Sequence, residues 1–113
     1  ELDLTAEIIG AIFGEALVSV AHRRADDSLP GSYGDVLFTD LLADPVAAIR
    51  GAYRGIGREL TPAHADAIVR YLEARPRDKH GVHRYTAAEW GFDEASVRAA
   101  TADYLTYFAI PTE

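Results

Sequence analysis

The chain has 113 residues, 49% of them hydrophobic, which suits one small globular domain and argues against a disordered chain. Its net charge of −7 argues against a nucleic-acid binder, which needs an excess of Lys and Arg for phosphates, and against an anionic membrane surface. With no cysteine, disulfides and thiolate metal sites are excluded.

The first predicted element is a helix over 4–24. Ile9, Phe13, Ala16, Leu17 and Val20 form one helical stripe, widened by Ile8 and Ile12, a face broad enough to touch partners on more than one side. Arg23 and Arg24 suit the negative end of the helix dipole. The apolar run Ile8–Ala21, interrupted by Glu15, reads as too short for a bilayer, which needs ~20 apolar residues. There is no basic leader, and the first residue is Glu1 rather than Met, which points to a processed chain, an excised domain or a fragment. Together with the lack of cysteine this gives a cytoplasmic expectation.

A turn-rich stretch with Pro30, Gly31 and Gly34 leads into Asp35-Val-Leu-Phe-Thr39, whose β-branched and aromatic bias predicts a strand over 35–39. A single strand cannot pair its own backbone, so its sheet is expected to lie in other sequence. Asp44-Pro45 and Thr61-Pro62 each place a capping oxygen before a proline, predicting helices over 45–56 and 62–75. The first is expected to bury Val46, Ile49, Tyr53 and Ile56, the second Ala65, Ile68, Val69 and Leu72, with Gly57 and Pro76 as stops. A last helix over 93–108 carries Val97, Thr101, Tyr104 and Phe108 on one face and is closed by Pro111.

Between the third and last of these helices, the loop over 75–85 reverses the charge. Arg75, Arg77, Lys79 and Arg84 stand against Asp78 alone, a local charge of +3 that leaves −10 for the remainder. Such a patch suits an anion, with arginine forks and a lysine point charge as donors and Gly81 allowing close backbone approach. The competing reading is a solvated loop paired with Glu73, Asp78 or Glu89. His80 and His83 have H-x-x-H spacing but no third ligand, so no metal is expected there, and His22 and His64 carry no assigned chemistry. Tyr85 and Trp90 are expected to pin the loop to the core, with stacking on an adenine as the lesser alternative.

Two segments carry a family resemblance. Phe38-Thr-Asp-Leu-Leu-Ala-Asp-Pro45, followed by Ile49, Tyr53 and Gly57, resembles the Y-x-D-L-x-x-D-P…I-Y…G segment of bacterial PAPS-dependent sulfotransferase-like proteins. Pro76-Arg-Asp-Lys-His-Gly-Val-His-Arg-Tyr85, then Trp90-Gly-Phe, resembles their P-R-G-K-H-G-x-H-x-Y…F-G segment, in the same order. The resemblance runs from about Val36 to Pro111 and implies the C-terminal portion of an α/β, P-loop-like sulfotransferase fold, mostly helical within this chain. It implies transfer of a sulfuryl group from PAPS to a hydroxyl or amine, with PAPS or its product PAP held at the 3′-phosphate by Arg77, Lys79 and Gly81 and by His80 as a further candidate. Asp78 departs from the family, whose sequences often have Gly there, and places a carboxylate beside the phosphate.

The chain has no glycine-rich 5′-phosphosulfate loop, so by itself it is expected to be inactive and no catalytic residue is assigned. The expected partners are the nucleotide donor and a small-molecule acceptor, without nucleic acid, membrane or metal. Ile8, Ile9, Ile12, Phe13, Leu17 and Val20 are expected to pack on missing N-terminal sequence or to form a homodimer. The alternative is a non-enzymatic helical interaction module using that same face. A helix-turn-helix DNA binder built on 44–75 conflicts with the acidic balance.

Overall fold

Asp44-Pro45 and Thr61-Pro62 each open a helix in the computed structural model, which describes residues 2–76 and 84–112. The elements are α1 (Leu2–Ala25), α2 (Phe38–Ala43), α3 (Pro45–Gly55), α4 (Pro62–Ala74), one 3₁₀ turn (Ala88–Trp90), α5 (Glu94–Ala100) and α6 (Ala102–Tyr107). They divide into two units, one formed by Glu1–Pro30 with His83–Glu113 and the other by Gly31–Val82.

In the Gly31–Val82 unit, Asp44 accepts the backbone N–H of Ala47 at 3.0 Å and Thr61 accepts that of His64 at 3.2 Å. Each cap satisfies a donor with no partner inside its helix, and the following proline has no N–H to satisfy. α3 ends in a Schellman turn: Gly57 takes φ +73° and Arg58 N–H reaches back to the Tyr53 carbonyl at 2.8 Å. α2 packs on α3, and α3 on α4. Val46, Ile49, Tyr53, Ala65 and Ile68 are half-buried, whereas Ile56, Val69 and Leu72, expected to be covered, are exposed. Among the described residues of this unit, Leu60 is the buried side chain.

The expected strand over 35–39, and with it the α/β P-loop-like fold, is corrected. The described residues are mostly helical and contain no strand or sheet. Residues 35–37 run without regular structure, and Phe38 already begins α2. The reason lies at Gly34, where a Cβ would sit 2.0 Å from the Ala52 carbonyl oxygen. The chain here lies directly on the backbone of α3 at a distance that only glycine permits. Beyond this contact, Phe38, Leu41 and Leu42 follow helical i, i+3, i+4 spacing.

In the other unit, α1 packs against the 3₁₀ turn, α5 and α6. The face it presents is built from its smallest residues. Ala6, Gly14 and Ala21 are buried and Gly10 half-buried, spaced four, four and seven apart. A methyl group at Gly10 would meet the Phe92 ring at 3.5 Å, and one at Gly14 would meet Thr101 Cγ2 at 3.9 Å. Of the bulky residues expected to pack on other sequence or on a second copy, Ile8 and Ile12 point away from these contacts and are 52% and 59% exposed, while Ile9, Phe13 and Leu17 border the groove beside Phe92 and, like Val20, remain exposed.

α1 also corrects the expectation about length. Leu4–Ala25, 22 residues, is long and apolar enough to cross a membrane by length and composition, because Leu4 and Ala6 extend the apolar character upstream of Ile8.

The helix expected over 93–108 is broken in two at Thr101. Its hydroxyl donates to the Val97 carbonyl at 2.7 Å, beside its own N–H at 3.1 Å, the back-bonding by which Thr favours a bend in a helix. Asp93 caps α5 by accepting the Ser96 N–H at 3.1 Å. α6 also ends in a Schellman turn, with Ala109 at φ +51° and Ile110 N–H bonded to the Leu105 carbonyl at 2.9 Å.

Candidate functional site

Four of the residues singled out from the sequence, Arg77, Lys79, His80 and Gly81, lie outside the described residues, as does His83. What the structure describes are the two ends of that basic segment. At the upstream end Arg75 caps α4, its N–H donating to the Leu72 carbonyl at 3.2 Å. Its guanidinium lies over the Tyr71 ring, 4.4 Å from the centroid, where the negative face of the ring attracts a cation.

At the downstream end, exposed Arg84 leads into a reciprocal cap. Thr86 N–H donates to the Glu89 carboxylate at 2.7 Å, and Glu89 N–H donates to the Thr86 hydroxyl at 3.4 Å. Glu89, considered from the sequence as an ion-pair partner for the basic loop, thus has this capping role. The T-x-x-E spacing is a sequence signal for such a cap.

The aromatic residues after Arg84 also differ from expectation. Tyr85 and Trp90 do not pin the loop to a core; they are 66% and 53% exposed. Their rings meet edge to face, with centroids 6.1 Å apart and planes at 64°. The anchoring role falls on Phe92, which is half-buried against Gly10 of α1.

A second feature lies within the Gly31–Val82 unit. An open groove of about 760 Å³ runs between α2, α3 and α4, floored by Leu41, Ile49, Ile68 and Leu72, with Tyr71 and Arg75 in its wall. His64 also lines it and is held by Tyr53, with Oη and Nδ1 3.2 Å apart and the rings in edge contact. His64 and His22 are therefore both engaged by neighbours. His22 Nε2 donates to Asp103 at 2.7 Å. Nothing in the sequence signals that pair, because its members are 81 residues apart.

The electrostatics of the described residues are mild. Hydrogen bonds from the Ser28 and Ser96 hydroxyls, reinforced by their backbone N–H groups, hold the carboxyls of Asp26 and Asp93 below the usual carboxylate range. Among the described residues no three His, Asp or Glu side chains come together as a metal site. No protein-family model matches the chain, and neither does any curated protein or solved structure.

Proposed function

We propose that the chain is a helical, donor-binding portion of a sulfuryl-transfer protein, and that its basic segment holds the 3′-phosphate of PAPS or PAP. The observation that carries this reading is the concentration of Arg75, Arg77, Lys79 and Arg84 within ten residues of a chain whose net charge is −7. Self-repulsion in such a patch is relieved when an anion binds. Calorimetric titration of PAP into the full protein tests it. Changing Arg77 and Lys79 together to Ala is expected to weaken binding by roughly tenfold or more, the range for lost charge-assisted hydrogen bonds. Equal affinity in the double variant removes the assignment.

A second reading, a helical association module, is favoured by one observation: Ile8, Ile12 and Phe13 stand more than half exposed along α1. Contiguous apolar surface of this kind marks interaction sites. A second copy of the chain is the partner this reading names. Sedimentation velocity is expected to show a concentration-dependent dimer that Ile12→Glu abolishes while helicity is kept. A monomer throughout the micromolar range rejects it.

A further inference from the structure

We infer that the groove between α2, α3 and α4 binds an apolar small molecule carrying one carboxylate, a medium-chain fatty acid being the simplest member of that class. The site lies wholly within the Gly31–Val82 unit. α2 packs on α3 and α3 on α4, yet Leu42, Tyr71 and Leu72 line the space between them still 44%, 57% and 40% exposed. Its volume of about 760 Å³ is that of a small-molecule site, and such sites share an apolar lining with a few placed polar groups.

Charge decides what the guest is. The chain has 18 Asp and Glu residues, yet among the described residues none lines this groove, and Arg75 is the one Lys or Arg that does. His64 and Arg75 stand at opposite ends of one face of α4, about three turns and roughly 16 Å apart, with Ile68, Tyr71 and Leu72 between them. An apolar chain laid along this run meets the guanidinium at one end. That guanidinium lies 4.4 Å from the centroid of Tyr71, itself a lining residue, so the charge is held at the groove instead of reaching into solvent. Stacking uses the face of the guanidinium and leaves the N–H groups in its plane, the fork that grips a carboxylate through two parallel hydrogen bonds. One guanidinium balances one negative charge, whereas a phosphate dianion would keep a charge uncompensated. The site is separate from that of the donor phosphate, which is tested at Arg77 and Lys79.

Decanoate is titrated into the full protein and followed by methyl NMR and by calorimetry. Decylammonium is the control of equal length and opposite charge, which the net charge of −7 would otherwise favour. The expected result is saturable shifts of the Ile49 and Ile68 methyls, with decanoate bound roughly tenfold or more above decylammonium, the range for a charge-assisted hydrogen bond. Arg75→Gln is expected to lose roughly that margin. Ala67→Trp, which fills the groove from an exposed position on α4, is expected to abolish binding. Circular dichroism on both variants separates a lost site from lost folding. Equal affinity for the two amphiphiles, or unchanged affinity in Arg75→Gln, overturns the carboxylate site. Shifts confined to the Ile8 and Ile12 methyls of α1 overturn it as well, because they place the ligand on exposed apolar surface. Groove methyls that move on concentrating the protein alone give the groove to a second copy. Groove methyls that move only with an amphipathic helical peptide give it to a protein partner. Either result overturns the small-molecule assignment.

Discussion

His22 Nε2 donates to Asp103 Oδ2 at 2.7 Å, tying the last turn of α1 to α6. Both side chains are more than half exposed, at 61% and 65%, so solvent screens the pair. Asp103→Ala is expected to cost less than about 1 kcal/mol in urea denaturation, an effect that salt reduces further. A loss of several kcal/mol would show that the contact is far better shielded than its exposure implies.

Gly34 should tolerate no side chain. A Cβ there would meet the carbonyl oxygen, carbonyl carbon and Cα of Ala52 at 2.0, 2.6 and 2.8 Å, all atoms of helix backbone that cannot rotate away. Gly34→Ala is therefore expected to destabilise the Gly31–Val82 unit by about 2 kcal/mol or more, in the upper range for overpacking. Amide hydrogen exchange in α3 and α4 would register it as lost protection.

The turns that end α3 and α6 make opposite predictions. Gly57 occupies the left-handed position after α3, and Ala109 occupies the corresponding position after α6 at φ +51°. A side chain at such an angle costs about 1 kcal/mol relative to glycine, partly offset by the greater freedom of an unfolded glycine. Gly57→Ala should lower thermal stability, whereas Ala109→Gly should leave it unchanged or raise it slightly. Calorimetric unfolding of the pair would check the signs.

Acid should act through Asp93. The Ser96 hydroxyl and then its N–H hold this carboxyl below its unfolded value, so its contribution is present above the unfolded pKa and is lost as pH falls through the folded one. Ser96→Ala is expected to move the Asp93 titration upward toward the ordinary carboxylate range in side-chain NMR. An unmoved titration would show that the hydroxyl is not the main cause.

Local signals and tertiary outcomes part company at identifiable residues. The caps at Asp44 and Thr61 and the stop at Gly57 were legible because each depends on atoms only a few residues away. Val36-Leu-Phe38 misled because β-propensity records a preference for a pleated surface, whereas the contact of Gly34 with Ala52 decides what the chain does there. Thr101 sits where helical periodicity predicts continuity, and there the Val97 carbonyl accepts both its N–H and its hydroxyl as α5 gives way to α6. At the basic segment, the sequence supplied the charges, and the structure added the capped flanks, Arg75 over Tyr71 and the exposed Tyr85–Trp90 pair. The exposure of that pair was not legible because Tyr and Trp are intermediate in burial, so their type alone does not say whether they turn inward.

The inverted arrangement of α1 separates two kinds of selection along one helix. Gly10 and Gly14 have room for a methyl group and little more, so alanine should pass there and leucine should fail in any screen that reads folding. Ile8 and Ile12 make up the opposite, exposed side, and the same screen should accept polar replacements at both with little penalty. A screen that reads association would return the complementary map. A tolerance profile of α1 taken under both conditions would thus separate the positions that build the protein from those available to its partners.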